Sequence, residues 1–272
     1  MSISATDFNF VRELALTKAA IVLEPGKEYL VESRLTPIAR QIGVQDASAL
    51  VQRLRRGGEA QLQAQVVDAL TTNETSWFRD RHPFDALGKF MIPELIESRR
   101  ATRTISIWSA ACSSGQEPYS IAMTLLDVPA LAGWNIRITA TDLSGEMLTR
   151  AREGHYSQLE INRGLPATHL VRHFDRAGTG WRVNEQLRRM VTFESHNLLN
   201  APPLGGPFDI VFIRNVLIYF SPATKSEVLA KVRRALRPDG FVVLGGAETS
   251  LGIDDQLVRT EIARSSVYRL KR

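Results

Sequence analysis

The chain has 272 residues, 44% hydrophobic and 23% charged, a globular balance that excludes a disordered, collagen-like or coiled-coil protein. At ~150 residues per domain the length predicts one large domain or a small one joined to a larger. No apolar run approaches the ~18 residues of a membrane span, and the amino terminus lacks a basic n-region and an apolar h-region. The single cysteine, Cys112, can form neither an internal disulfide nor a multi-thiolate metal site. A cytoplasmic protein without direct membrane insertion is expected. With 34 Lys plus Arg against 29 Asp plus Glu, the net charge of +5 permits an acidic partner without demanding nucleic acid. Between Arg34 and Gly58, five arginines (Arg34, Arg40, Arg53, Arg55, Arg56) face one acid, Asp46.

In chain order, apolar residues first recur at three- and four-residue spacing, which predicts helices. Asp7 is placed to cap a helix carrying Phe8, Val11 and Ala15, which Pro25-Gly26 breaks. A second helix carries Leu30, Arg34 and Ile38 and ends at Gly43. Asp46 caps a third with Leu50 and Leu54, and Gly57-Gly58 separates it from a fourth with Leu62, Val66 and Leu70. From Thr104 onward short apolar strands alternate with helices. Strands are predicted from Thr104, from Ile136, over Phe208 to Ile213 and from Phe241; helices over Pro118 to Leu126, Ser144 to Arg152 and Ser221 to Leu236. Strand, helix, strand implies a parallel sheet with right-handed crossovers, and Val258 to Ile262 with Ser266 to Leu270 predicts an antiparallel edge. Between these lies a stretch with Gly178-Thr-Gly180, Trp181-Arg-Val183 and Met190-Val-Thr-Phe193, read as a β-hairpin inserted over about 172–193.

In open α/β sheets the ligand sits outside the carboxyl ends of the strands. The first strand is followed by Ser109-Ala-Ala-Cys-Ser-Ser-Gly-Gln-Glu-Pro-Tyr119, small residues that let a ligand approach the backbone. The G-x-G-x-x-G fingerprint and the Gly-Lys-Ser/Thr phosphate loop are missing, which argues against NAD and ATP. Asp142, at the end of the second strand, is either an acceptor for two ribose hydroxyls or a helix N-cap. Glu117 is either ligand-facing or an ordinary first-turn helix acid.

Thr72-Asn-Glu-Thr-Ser-Trp-Phe-Arg79, Trp108 to Ser120, Asp142, His196-Asn-Leu-Leu199 and Arg214-Asn-Val-Leu-Ile-Tyr-Phe220 together resemble the chemotaxis receptor methyltransferases of CheR type over nearly the whole chain. The resemblance implies a Rossmann-like class I methyltransferase sheet of α/β class, an all-helical amino-terminal domain and a small inserted β-hairpin. It implies an N-terminal substrate-docking domain over 1–80 and a cofactor-binding domain over 81–272. The cofactor implied is S-adenosyl-L-methionine, leaving as S-adenosyl-L-homocysteine, and the reaction is methylation of glutamate carboxylates on the cytoplasmic helical domains of chemoreceptors. Carried over by motif position, Asn73, Thr75, Arg79, Glu117, Asp142, Asn197, Leu198, Arg214 and Asn215 contact the cofactor. Tyr219 lies beside the transferred methyl, and the fork of Arg79 holds a carboxylate of cofactor or substrate. The hairpin is shorter than in members that tether to a receptor's carboxyl-terminal pentapeptide, a departure from the family pattern that leaves pentapeptide docking open.

A glutamate with a reference pKa of ~4.3 is ionised at neutral pH and needs no general base. That agrees with a sequence lacking a Ser-His-Asp set. The histidines, His82, His155, His169, His173 and His196, are scattered and read as structural or exposed, and no metal is expected. An amino-methylating nucleic-acid enzyme would need Asn/Asp-Pro-Pro-aromatic where Arg214-Asn-Val-Leu217 stands, and a cytosine C5 enzyme a Pro-Cys nucleophile, whereas Cys112 follows Ala111. A catalytically silent adapter is the non-enzyme alternative. Arg53 and Arg56, three apart on one helix face, are the residues expected to dock acidic receptor helices.

Overall fold

The computed structural model describes residues 3–262 and 264–271. They divide into two units, one of residues 3–72 with 219–224, the other of 73–218 with the described residues from 225 onward. The division after Thr72 falls earlier than the expected boundary at residue 80.

The first unit carries the four predicted helices: α1 (Ala5–Ala19), α2 (Glu28–Gln41), α3 (Ala47–Arg55) and α4 (Ala60–Ala69). Ser4 caps α1 by accepting from the Asp7 amide, so Asp7, expected as the cap, lies instead in the first turn. Ser4 wins because its side chain sits three residues before an unpaired helix amide. Asp46 does cap α3, accepting from Ala49 N at 2.9 Å. The apolar stripes meet in one core of Phe8, Val11, Leu35, Leu50, Leu54 and Val66. Arg34 reaches from α2 to the open carboxyl end of α4, donating from Nη1 to the carbonyls of Leu70 at 2.6 Å and Thr71 at 2.7 Å, where a helix leaves its oxygens unpaired.

The second unit begins with α5 (His82–Ala86), a π-helical turn Leu87–Met91 and α6 (Ile92–Ser98). Then come β1 (Thr104–Ala110), α7 (Gln116–Leu126), β2 (Asn135–Asp142), α8 (Gly145–Glu153), β3 (His155–Tyr156), α9 (Gln158–Asn162) and α10 (Ala167–His173). β4 (Phe174–Ala177), β5 (Gly180–Val183), α11 (Glu185–Met190), β6 (Val191–Ser195), β7 (Phe208–Ile213), α12 (Pro222–Ala235), β8 (Leu236–Leu244), β9 (Leu257–Ile262) and β10 (Ser265–Leu270) follow. The seven-stranded sheet has the order β6-β2-β1-β7-β8-β10-β9. The five strands from β6 to β8 are parallel, and β10 and β9 close the edge antiparallel as expected. Ile105, Ile107, Ile138, Ile210, Phe212, Phe241 and Val243 fill its core at 0–1% exposure, the apolar runs that a sheet covered on both faces requires.

The inserted hairpin pairs differently from the expectation. β4 pairs with β5, Gly178 supplies a turn residue at φ +60°, and β3 joins on the far side. Met190 closes a helix, and Val191–Ser195 runs parallel to β2 in the large sheet rather than pairing with Trp181-Arg-Val183. The physical reason is burial: Val191 is 7% exposed beside the sheet core, a better place for its side chain than a two-stranded ribbon.

The amino end of the sheet is pinned by charge. Arg99 Nε donates to Asp209 Oδ1 at 2.7 Å and its fork grips Asp239 at 2.9 and 2.6 Å, while Asp209 Oδ2 accepts from Ser106 N at 2.8 Å. Among the described residues no helix is long and apolar enough to cross a membrane.

Candidate active site

Strand order reverses at β1, since the chain lays β2 and β6 on one side and then crosses to β7 on the other. Such a switch point opens a crevice at the carboxyl ends of the strands. The register puts Ala110 level with Thr141 and with Ile213, and Asp142 level with Ser195. The loops carrying Glu117, Asp142, Asn197, Leu198, Arg214 and Asn215 therefore leave from one edge.

The loop after β1 passes through left-handed conformations at Ala111 (φ +59°), Ser113 (φ +50°) and Gly115 (φ +96°). A Cβ on Gly115 would meet Ala151 Cβ and the Tyr156 hydroxyl at 3.0 Å, so only glycine lets α7 start this close to α8. Asp142 holds the loop: Oδ2 accepts from Ser113 N at 2.7 Å and Oδ1 from Ser144 N at 2.9 Å. It does not cap α8; Ser144 does, accepting from Met147 N. With roughly four lone-pair sites on a carboxylate, this clamp and the hydroxyls of a ligand are compatible. Cys112 is buried, and burial, then Asp142 and Glu117, push its thiol well above the usual range, so it stays protonated and is no nucleophile.

Glu117 has both oxygens engaged by protein side chains, Oε1 by Ser109 Oγ at 2.8 Å and Oε2 by Arg214 Nη1 at 2.9 Å. The Arg214 side chain is 1% exposed and lies over the Phe84 ring. Its Nη2 donates to Asp80 Oδ2 at 2.7 Å and to the Arg79 carbonyl at 2.9 Å, while its Nε is buried without a partner. Glu117 and Arg214, expected to face the cofactor, thus tie the 73–81 segment to the sheet.

Further contacts fix that segment. Ser113 Oγ donates to the Asn73 carbonyl at 2.8 Å, Phe78 N to Ser120 Oγ at 3.1 Å and Trp77 N to the Arg163 carbonyl at 3.1 Å. Trp77 is 1% exposed, edge-on to Tyr156 and Phe174. Arg163 pairs with Glu74, and Arg79 Nη1 donates to the Glu74 carbonyl at 2.8 Å. Asn73 and Thr75 line an open cleft of about 390 Å3 with Ser114, Gln116 and the Arg150–Glu160 ion pair. Burial pushes the Glu160 carboxyl up, but the Ser157 amide and hydroxyl and then Arg150 bring it below its ordinary value.

Asn197 and Leu198 are half-buried beyond β6, where His196 N donates to the Asp142 carbonyl at 2.9 Å. Asn215, at φ +59°, sits in a turn whose anchor is not evident from the residues around it. Glu248, 7% exposed, supplies one: Oε2 accepts from Asn215 N at 2.8 Å and Gly245 N at 2.7 Å, and Oε1 from Val216 N at 3.0 Å and Leu217 N at 2.8 Å. Its signal was an acid placed soon after the β8 strand end, as Asp142 closes β2.

Tyr219 belongs to the first unit, where its carbonyl accepts from Val22 N at 3.3 Å. Arg53, expected as a docking cation, has its fork on Glu59, Nε and Nη2 each at 2.8 Å. Arg56, the C-cap of α3, is exposed.

A doubly wound sheet with a small-residue loop, a strand-end acid and an open carboxyl edge is the plan of a methyltransferase that uses S-adenosylmethionine. The all-alpha domain of CheR methyltransferases matches residues 6–71, and their SAM-binding domain matches residues 73–265, the two meeting at the structural division. The "Chemotaxis protein methyltransferase 1" of Pseudomonas aeruginosa is 42% identical over 280 residues, covering 100% of both chains. The "Chemotaxis protein methyltransferase" of Vibrio parahaemolyticus is 40% identical, over 100% of this chain and 99% of its own. That of Escherichia coli is 35% identical, over 91% of this chain and 86% of its own. The chain belongs to the CheR methyltransferase family, and its function is S-adenosylmethionine-dependent methylation in chemotaxis.

Proposed function

We propose that the acceptor is a glutamate side chain on the cytoplasmic helical domain of a chemoreceptor, and that the enzyme, itself cytoplasmic, makes the methyl ester. One observation supports the acceptor class. At the carboxyl edge the carboxylates of Asp142, Glu117 and Glu248 are engaged in holding loops, Asp142 on two amides, Glu117 on Ser109 and Arg214, and Glu248 on four amides. Carboxylates committed to holding loops are not poised as bases, which suits an acceptor that arrives ionised, as a glutamate does.

When bound, the cofactor supplies an electrophilic sulfonium methyl. Asp142 would accept from its ribose hydroxyls, Asn197, Leu198 and Asn215 would hold it from the later strand ends, and Asn73, Thr75 and Arg79 from the pinned segment. Arg214 and Glu117 keep that segment in place, so the cation and the acid act as positioning residues. The contribution of the protein to rate is then alignment within ~3–3.5 Å and removal of water from the carboxylate.

The test is transfer of label from methyl-labelled S-adenosylmethionine to receptor-containing membranes. Base-labile release of methanol marks a carboxyl ester. Label that resists mild base, or that enters nucleic acid instead, overturns the reading.

A further inference from the structure

The second unit holds a group of side chains that methyl transfer does not use. Asp127 follows the last residue of α7, and His169 and His173 stand four apart on α10, so the two imidazoles share a helix face. One nitrogen of each ring and one carboxylate oxygen all lie within 4.8 Å of one another. His173 is 3% exposed, and neither of its ring nitrogens has a partner, nor has Nδ1 of His169. An imidazole buried with both nitrogens unmet is unfavourable unless something takes a lone pair. The rings stack 5.6 Å apart, and His169 also stacks on Phe78 at 5.0 Å. Burial lowers the affinity of both for a proton, leaving the neutral form that ligates metals.

Asp127 is suited to complete the set. Its Oδ1 accepts from Arg172 Nη1 at 2.6 Å, which orients the carboxylate, while Oδ2 faces His169 Nε2 at 3.5 Å. The Asp127 side chain is 40% exposed, so the cluster opens to water on that side.

We propose that Asp127, His169 and His173 bind a divalent transition-metal ion, zinc by donor type, with water in a fourth position. Two imidazoles and one carboxylate around an open position suit tetrahedral Zn2+ with ~2.0–2.2 Å bonds. At tetrahedral angles those bonds put ligand atoms ~3.3–3.6 Å apart, a contraction within reach of side-chain rotation. The ion would join the carboxyl end of α7, whose first turn carries Glu117, to the residue preceding β4, and so brace the small sheet against the cofactor half of the unit.

The full-length chain, freed of any histidine tag and stripped with chelator, is titrated with Zn2+ by calorimetry and with Co2+ by visible absorption. The expected result is one equivalent of Zn2+, the strong visible bands of four-coordinate Co2+, and a raised melting temperature. Asp127→Asn and His169→Gln should each weaken Zn2+ by at least about tenfold. Asp127→Asn alters an exposed side chain and keeps the test open where a histidine change costs the fold. The proposal is overturned if the folded parent gives neither heat nor Co2+ bands with metal in excess over the chain. It is equally overturned if a folded Asp127→Asn or His169→Gln chain binds with parental affinity, which would place the ion on other groups.

Discussion

Asp142 shows how one residue serves fold and ligand together. Its carboxylate clamps two amides, and the proposed ribose contact uses the same oxygens, so Asp142→Ala should weaken S-adenosylmethionine binding by about 1–3 kcal/mol. Titration calorimetry on the folded variant checks this, and an unchanged affinity removes Asp142 from the site. His196 carries a pH dependence instead. Burial, then Lys231, lowers its pKa below the ordinary 6.5, and the ring packs edge-on to Trp108 at 5.8 Å. The fold holds it neutral while the unfolded chain takes up a proton, so its contribution is present above pH 6.5 and is lost as pH falls below it. The urea midpoint should drop between about pH 7.5 and 5.5, and His196→Asn should lessen that drop without abolishing it, because burial lowers His169 and His173 in the same direction. An identical slope in the variant assigns the dependence elsewhere. Asp142 and Glu117 were visible in the sequence as strand-end and loop acids, but not what they grip, because Arg214 lies far along the chain from Glu117.

Among elements, the 73–81 segment is held by its neighbours rather than by secondary structure. Gly164, at φ +101°, backs it so closely that a Cβ would stand 2.3 Å from the Trp77 carbonyl oxygen. Gly164→Ala should cost about 1–3 kcal/mol of stability and weaken cofactor binding by displacing Asn73 and Thr75. Unfolding in denaturant with calorimetry on the same sample separates the two effects, and parental values in both would show that the segment is not held there. The α3 patch is altered by its own geometry. Since Arg53 is gripped by Glu59, its reversal to glutamate sets like charges together, whereas Arg56→Glu changes only an exposed charge. Arg56→Glu is therefore expected to raise KM for receptor at low salt with unchanged cofactor affinity, the difference shrinking as salt screens exposed charges. Methylation at the parental KM in low salt would leave the patch a solvated face.

At the scale of the whole molecule, one apolar cluster of the first unit, from Ile3 to Leu70, is built among the described residues of the four helices and the segments joining them, which predicts that a 1–72 fragment folds by itself, marginally, as units of this size do. A cooperative thermal melt of its helical circular dichroism is the expected result; a gradual loss would show that residues 219–224 are required. The sequence by itself determined the four helices of the first unit, the alternation of β1, α7, β2, α8, β7, α12 and β8, the antiparallel edge and the family motifs, because periodicity, caps and breakers act over a few residues. Tertiary structure alone decided what joins distant residues: β6 in the large sheet rather than the hairpin, Glu248 beneath the Asn215 turn, Arg214 across to Asp80, and Asp127 beside His169 and His173, which along the chain are only scattered histidines. The physical reason is that a buried strand, amide or imidazole is settled by whichever group packing brings to it, and sequence separation carries no record of that meeting.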